Sequence, residues 1–183
     1  MQQKKQLRKK YFNLRKKKYF EVDKEFFLPL LKLIKSRFKK NFIKLALYYP
    51  SNFEINVLKI LEFKNILAQD ILLPVTDKKK LMKFFSWEKN EILFVNEFGI
   101  LEPAKSKAKI PDVILVPILV FDKYKHRLGY GKGFYDRYLN KYLKKFKNIL
   151  TIGVAFSFQR HHKLPINQND VKLNFIITEK GIL

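Results

Sequence analysis

The amino-acid sequence predicts an α/β protein in which a mostly parallel β-sheet is covered by helices on both faces. Three observations support this prediction. Apolar runs of strand length alternate with amphipathic stretches of helical length. A strand of buried type at residues 113–116 precedes a glycine-rich loop and a helix-compatible aromatic stretch. The 183 residues are 47% hydrophobic and show no linker or internal repeat, so we expect one domain, residues 1–183, built as a Rossmann-like three-layer sandwich.

The N-terminal region predicts two helices that cover about residues 4–40 and pack on the α/β core. In residues 4–19, Leu7, Tyr11 and Leu14 recur at helical spacing, with lysines and arginines between them. Residues 24–39 continue the helical pattern, and Pro29 fits there only in or near a first turn or at a kink.

Strands and helices alternate in the rest of the chain. Strands are predicted at residues 42–47, 71–73, 81–87, 92–95, 113–116, 149–155 and 175–178, and helices at 57–64 and 134–145. Pro74 is expected to end the strand at 71–73, and segments 81–87 and 92–95 are expected to form an antiparallel excursion. Because helices separate most strands, we expect a mostly parallel sheet with ligands beyond the carboxyl ends of its strands.

The glycine loop at residues 129–133 is the most informative stretch of the chain. It holds three of the 6 glycines, at every second position, interleaved with Tyr130 and Lys132. The order strand, glycine loop, helix allows backbone N–H groups and a helix N-terminus to hold a phosphate, with Lys132 and Arg127 adding charge. The spacing matches neither a dinucleotide fingerprint nor a P-loop. A strained turn without a ligand is the alternative.

Carboxylates near this loop allow two interpretations each. Asp136 lies early in the helix that follows, where it either favours the positive helix end or coordinates Mg²⁺ beside phosphates. Tyr49 and Glu54 lie in a loop after a strand, which is either an aromatic-walled slot for a planar heterocycle or a turn before a helix. Glu102 gives a weaker signal of the same kind.

The net charge of +23 favours, at first sight, a basic nucleic-acid-binding protein. Lys outnumbers Arg 33 to 6, and Ile, Phe and Asn are abundant while Ala is scarce, a profile typical of an AT-rich genome. Arginine is the side chain better suited to phosphates and bases. We therefore expect most lysines to form a solvated surface, and the few arginines become more interesting.

Composition also bounds the cellular context. The chain has no cysteine, which excludes disulfides, thiolate metal sites and cysteine nucleophiles. No apolar run approaches the roughly 20 residues that a membrane span needs, and the basic N-terminus lacks the apolar segment of a signal peptide. We expect a cytoplasmic monomer that does not bind membranes.

Taken together, these segments resemble the 5-formyltetrahydrofolate cyclo-ligase (methenyltetrahydrofolate synthetase) family. The resemblance rests on PDVILVP at 111–117, RLGYGKGFYDRYL at 127–139 and GVAFSFQ at 153–159, together with a Lys-x-x-x-Arg start at 4–8. Weaker matches at Tyr49, Glu54, Met82, 99–103 and Asp170 occur in the same order, so the resemblance spans nearly the whole chain.

This resemblance implies a ligase that uses ATP and Mg²⁺ to convert 5-formyltetrahydrofolate to 5,10-methenyltetrahydrofolate, with release of ADP and phosphate. Phosphorylation of the formyl oxygen would create a leaving group, and N10 would close the ring. Such phosphoryl transfer depends on positioning and charge neutralisation rather than on a protein nucleophile.

The resemblance also implies roles for individual residues. ATP would be held by Lys4, Lys5, Gln6, Leu7, Arg8, Arg127, Leu128, Gly129, Tyr130, Gly131, Lys132, Gly133 and Phe134. The folate would contact Tyr49, Glu54, Tyr130, Gly131, Lys132, Gly133 and Phe134, and Mg²⁺ would be bound by Asp136 and Asp170. Lys132, Arg127 and Arg8, the last between the two ligands, would carry catalysis. A basic nucleic-acid-binding protein and a nucleotide-dependent enzyme of other specificity are the competing classes.

Overall fold

The computed structural model describes residues 2–38, 42–64, 68–77 and 81–183, with the backbone alone at 68 and 69. The α-helices in these ranges are α1 (Gln2–Lys18), α2 (Leu28–Arg37) and α3 (Phe134–Tyr142), and 3₁₀-helices occur at Lys24–Phe27, Val57–Glu62 and Ser157–Gln159. The strands are β1 (Ile43–Ala46), β2 (Ala68–Thr76), β3 (Met82–Ser86), β4 (Leu93–Val95), β5 (Leu101–Pro103), β6 (Val113–Pro117), β7 (Val120–Phe121), β8 (Arg127–Leu128), β9 (Leu150–Val154), β10 (Phe175–Thr178) and β11 (Gly181–Ile182).

Within the described ranges, the main sheet has seven strands in the order β11-β10-β9-β6-β1-β2-β3. The central strands β10, β9, β6, β1 and β2 are parallel. The edge strands β11 and β3 are antiparallel to their neighbours. The predicted α/β class with a mostly parallel sheet is thus confirmed.

The two faces of the sheet are covered by different helices. In β6, Val113 and Leu115 pack into a cluster that includes Leu30 and Ile34 of α2. The intervening residues of β6 pack on the opposite face with Tyr138 and Leu139 of α3. This period of two is the alternation expected of a sheet buried on both sides, and it builds the three predicted layers.

Helix α1 packs at the carboxyl-terminal edge of the sheet. Its residues Leu7 and Tyr11 share a separate small core with Val120 and Leu128 of the hairpin formed by β7 and β8. Arg8 and Arg15, on the neighbouring part of the same helix face, reach the glycine loop. In the described part of the chain, no helix combines the length and the apolar character needed to cross a membrane.

The prediction that Pro74 ends its strand was wrong. β2 continues to Thr76, with Pro74 paired to Phe84 of β3. The pairing of β1 with β2 runs only as far as Ala46 and Leu72. Beyond that point β2 pairs with β3 alone in the described residues, so a proline without an N–H donor fits its open side.

Other helices and strands differ from the prediction in their bounds or partners, because contacts with distant parts of the chain determine them. Pro29 lies in the first turn of α2, as predicted, and a 3₁₀-helix capped by Asp23 precedes it in place of a continuous helix. Residue 39, and with it the end of the predicted helical region, lies outside the described residues. β4 is antiparallel, as predicted, but its partner is β5 and not the segment at 81–87. The β7–β8 hairpin separates β6 from the glycine loop.

Candidate active site

A cleft of about 1870 Å³ opens at the carboxyl-terminal edge of the parallel strands. Its wall includes Tyr48 and Tyr49, just after β1, and Pro117 at the end of β6. Among the described residues that line it, nine are lysines or arginines and four are acidic. The cleft therefore lies where a mostly parallel sheet binds ligands, and its charge favours an anionic one.

The glycine loop forms one side of the cleft and leads directly into α3. Gly133 caps α3 with a left-handed backbone (φ +69°), and Gly131 has a φ of +99°. A Cβ atom on Gly131 would lie 3.1 Å from Cζ of Arg8. Arg8 also donates from Nε to the carbonyl oxygen of Gly129 over 2.8 Å. The backbone conformation therefore requires glycine at 131, and a side chain there would also push against Arg8.

The two cations predicted for the phosphates in this region are held differently. The ammonium group of Lys132 lies 2.9 Å from the centroid of the Phe98 ring, and the side chain is exposed. Arg127 is only 5% exposed. Its Nη1 donates to Oδ1 of Asp136 over 2.9 Å and to the carbonyl oxygen of Val171 over 3.1 Å. Lys132 is thus the accessible charge, whereas Arg127 fixes Asp136 at the start of α3.

Both predicted Mg²⁺ ligands line the cleft. Asp136 accepts the bond from Arg127 at Oδ1, and its side chain is 28% exposed. Asp170 pairs with the ammonium group of Lys4 and accepts a bond of 2.7 Å from the backbone N–H of Asn167. Among the described residues, no three His, Cys, Asp or Glu side chains form a ready cluster for a metal. One or two carboxylates beside phosphate oxygens are the usual donors for Mg²⁺, so this donor set fits that ion.

Glu54 is the buried carboxylate of the cleft. It is 7% exposed, and Oε2 accepts hydrogen bonds from the N–H of Ser51 over 2.9 Å and from its hydroxyl over 3.3 Å. Burial raises the pKa of Glu54 above its ordinary value, and the charge of Arg15 and hydrogen bonds from Ser51 and Tyr130 oppose that rise. Glu54 therefore has a pKa above that of an exposed glutamate, and its polar neighbours limit the rise.

Tyrosines surround Glu54. The hydroxyl of Tyr48 donates to the carbonyl oxygen of Ile55 over 2.9 Å. The hydroxyl of Tyr135 is buried and has no hydrogen-bond partner in the described structure. Burial raises the pKa of Tyr135, the charge of Glu54 raises it further and that of Arg127 lowers it, so this hydroxyl senses both charged groups. A buried hydroxyl without a partner at a cleft wall is suited to a ligand.

The sequence profile of the 5-formyltetrahydrofolate cyclo-ligase family matches residues 1–179. The chain belongs to this family. A probable 5-formyltetrahydrofolate cyclo-ligase from Schizosaccharomyces pombe is 31% identical over 131 residues, which are 63% of this chain and 64% of that protein. The 5-formyltetrahydrofolate cyclo-ligase from Haemophilus influenzae is 31% identical over 150 residues, 78% of each chain.

A solved structure agrees with the sequence relatives. The 5,10-methenyltetrahydrofolate synthetase from Aquifex aeolicus, determined by NMR, superimposes with a TM-score of 0.73 at 30% identity. The match covers 98% of this chain and 91% of that one. The predicted cyclo-ligase family, the enzyme class that it implies and the fold class are thus confirmed.

The cyclo-ligase cleft brings together nearly all the residues predicted for its site. They are Lys4, Lys5, Gln6, Arg8, Tyr49, Glu54, residues 127–134, Asp136 and Asp170. Leu7 is the exception, because its side chain packs in the small core beneath α1 with Tyr11 and Leu128.

Sequence reasoning missed Arg15, which is buried beside the cyclo-ligase cleft and contacts two of its lining residues, Asn52 and Tyr130. It is 1% exposed, and it donates to the hydroxyl of Tyr130 and over 2.9 Å to the carbonyl oxygen of Asn52. A signal was present, because arginine is rare in this chain and Arg15 follows Lys4 and Arg8 at the spacing of one helix face.

The sequence also did not show how the hairpin of β4 and β5 reaches the cyclo-ligase cleft. Oε1 of Glu102 accepts bonds of 2.8 Å from the N–H and hydroxyl of Thr76 and of 2.7 Å from Asn96. The amide oxygen of Asn96 accepts a bond of 2.8 Å from the N–H of Phe98. The buried carboxylate of Glu102 therefore ties the hairpin to β2 and holds Phe98 over Lys132.

Proposed function

We propose that this chain is an ATP- and Mg²⁺-dependent ligase that converts 5-formyltetrahydrofolate to 5,10-methenyltetrahydrofolate and releases ADP and phosphate. The observation that carries the proposal is that one loop, residues 129–133, borders two parts of a single cleft. One part offers cations and the Asp136 and Asp170 carboxylates, and the other offers buried Glu54 among tyrosines. Family membership supplies the substrate class.

The chemistry needs two substrates held in line. The formyl oxygen attacks the γ-phosphorus of ATP, an O–P bond forms and the bond to the ADP oxygen breaks. N10 then attacks the formyl carbon, its proton is lost, and the C–O bond breaks to release phosphate that carries the formyl oxygen. Both steps gain more from positioning and from neutralised charge than from a covalent catalyst.

The phosphate side of the cleft supplies that neutralisation. Lys132 is an exposed ammonium on the glycine loop, and we propose that it leaves the Phe98 ring for the transferred phosphoryl group. Arg8 lies against the loop, between the two parts of the cleft. Arg127 acts through Asp136, which it orients. Mg²⁺, held by Asp136 and Asp170, would screen the charge of the phosphate oxygens.

The folate side of the cleft offers hydrogen bonds to a heterocycle. A charged Glu54 accepts bonds from ring and amino N–H groups, as carboxylates do for such ligands. The unpartnered hydroxyl of Tyr135 gives a further bonding group at the boundary between Glu54 and Arg127. Tyr49 adds an aromatic wall.

A single mixture tests the proposed function. The purified chain is incubated with Mg²⁺, ATP and 5-formyltetrahydrofolate, and the methenyl product is followed by its near-ultraviolet absorbance. We expect product only when all three are present, with ADP formed in equal amount. Product formation without ATP, or none with it, would remove the proposal.

The competing class is tested in parallel. A nucleic-acid-binding protein would bind DNA or RNA with an affinity that falls steeply with salt. Its only support is the net charge of +23. Such binding, together with a failure of turnover, would favour that class. The monomeric state and the cytoplasmic location stay predictions.

A further inference from the structure

We propose that Arg15 is a positioning residue for the folate side of the cleft, where its buried guanidinium holds Tyr130 and the turn at residues 51–54 in place beside the Glu54 carboxylate. The inference rests on the proposed function for its effect on folate, although its effect on Glu54 can be measured without turnover.

The guanidinium of Arg15 connects three separate segments. Nη1 donates over 3.0 Å to the carbonyl oxygen of Ile118, just after β6. Nη2 donates over 2.9 Å to the carbonyl oxygen of Asn52 and also to the hydroxyl of Tyr130 on the glycine loop. The guanidinium carbon lies 5.6 Å from the centroid of the Tyr130 ring. Removing this side chain would therefore release both the loop and the turn that carry the folate contacts.

The turn at residues 51–54 needs a restraint from another part of the chain. Asn52 and Phe53 both have a left-handed backbone, with φ of +49° and +63°. Residues other than glycine adopt this region at a cost and keep it only when the surrounding structure enforces it. The bond from Arg15 to the Asn52 carbonyl fixes the first of these residues, two positions before Glu54.

The hydrogen-bond acceptors of Arg15 are neutral oxygens, and among the described residues no carboxylate forms an ion pair with it. A buried cation is costly unless its field is balanced nearby. Glu54 is also buried, and the Tyr130 hydroxyl, which accepts from Arg15, also stabilises the charged form of Glu54. The opposite charges of Arg15 and Glu54 therefore compensate each other through the hydroxyl group of Tyr130.

Five groups from described residues face Glu54, and they come from different parts of the chain. They are Arg15 on α1, Tyr130 on the glycine loop, Tyr48 after β1, Tyr135 on α3 and Ser51 in its own turn. Of these, Arg15 carries the positive charge. Without it, burial acts on Glu54 with less opposition, and the carboxyl group binds a proton at a higher pH.

The direct test is Arg15→Met, which removes the charge and the donors while keeping the length of the side chain. The pH midpoint of Glu54 is read from the ¹³C NMR signal of labelled glutamate, with Glu54→Gln to assign the signal. We expect the midpoint to move upward. We also expect the KM for 5-formyltetrahydrofolate to rise about tenfold, the equivalent of one charge-assisted contact, and to rise more than the KM for ATP, because the turn that Arg15 holds at Asn52 serves the folate side alone.

Two further variants separate positioning from general destabilisation. Arg15→Lys keeps the charge and should return the Glu54 midpoint close to that of the wild type, with partial recovery of the folate KM. Tyr11→Phe removes a bond of 3.0 Å to the Arg160 carbonyl oxygen from the same side of α1, remote from Glu54. It should leave the midpoint and both KM values unchanged.

Two results would overturn the role proposed for Arg15. A folded Arg15→Met with an unmoved Glu54 midpoint and an unchanged folate KM would show a purely structural role. If Arg15→Met does not fold, Tyr130→Phe takes its place, because it removes the hydroxyl between the two charges, and an unmoved midpoint there is equally decisive. If the midpoint moves but the wild type forms no methenyl product, the proposed function fails and the positioning of Glu54 stands.

Discussion

Lys132 is the residue whose contact in the structure differs most from its proposed role. Its ammonium group rests on the Phe98 ring, 2.9 Å from the centroid, and forms no part of the core. Lys132→Ala should therefore lower kcat by about 10²-fold, the usual effect of removing one group that stabilises transition-state charge. Its Tm should hardly change. Lys16→Ala, an exposed lysine of α1, is the control, and full activity in Lys132→Ala would refute the phosphate role.

The glycines of the loop give a matched pair of variants. Gly131 has a φ of +99°, and a Cβ there would lie 3.1 Å from Cζ of Arg8. At Gly129 the new atom would meet nothing within 4 Å, and the backbone is not left-handed. Gly131→Ala should displace Arg8 and raise the KM for ATP, with a loss of stability of about 1 kcal/mol or more. Gly129→Ala should keep the thermal stability of the wild type, and an equal loss of stability in the two variants would contradict this view of the loop.

Asp136 is placed to serve both Arg127 and a metal ion. Asp136→Asn keeps the shape of the side chain but removes the charge that Mg²⁺ requires. We expect the Mg²⁺ concentration for half-maximal rate to rise at least about tenfold at saturating ATP. Asp23→Asn is a suitable control, because Asp23 only caps a 3₁₀-helix, a task that asparagine also performs. If the Mg²⁺ dependence does not change, Asp136 has only a structural role, at the N-terminus of α3 and in its ion pair with Arg127.

At the level of elements, one side of α1 organises the whole cleft. Lys4 reaches Asp170, Arg8 reaches the glycine loop and Arg15 reaches the turn before Glu54. Residues 8 and 15 are seven positions apart, which corresponds to roughly 10 Å along a helix. A single rigid helix can therefore set the distance between the glycine loop and the turn before Glu54.

The hairpin of β4 and β5 is the second element that shapes the cleft, and its anchor is Glu102. Glu102→Ala would leave the Thr76 and Asn96 donors without their acceptor, at a cost of about 1–3 kcal/mol to the local structure. Amide hydrogen exchange in residues 93–103 should accelerate and the KM for folate should rise. Glu97→Ala, an exposed acid in the same hairpin, should change neither. Unchanged exchange in Glu102→Ala would show that other contacts hold the hairpin.

The sequence predicted elements well where one local pattern dominated. The β6 run at 113–116 and the helix after the glycines are examples, because buried strands and capped helices have strong local signals. It failed at Pro74, whose fit depends on where the neighbouring strand stops. Glu102 and Arg15 are long-range cases, since their partners lie 26 and 115 positions away in the chain. No local pattern could reveal that these charges are buried.

At the level of the whole molecule, the large net positive charge lowers the stability of the folded state. The chain carries a net charge of +23. Some of its described ion pairs, such as Lys59 with Glu62, are in contact with solvent. Exposed pairs contribute little to stability, whereas like charges on a compact surface repel each other. Added salt screens this repulsion, because the Debye length is only about 10 Å at 0.1 M ionic strength. The folded state should therefore gain stability as salt is added.

We expect the Tm to rise by a few degrees between low and moderate NaCl, at about 2–4 °C for each kcal/mol. Lysines 105, 107, 145 and 147 are exposed and lie outside the cleft lining, so replacing all four by glutamine lowers the net charge from +23 to +19 without touching the site. This variant should show a higher Tm at low salt, a weaker dependence on NaCl and unchanged turnover. A wild-type Tm that stays flat or falls with salt would mean that attractive pairs outweigh the repulsion. The expected result instead places the excess lysines on the surface, where they cost stability but take no part in the cyclo-ligase cleft.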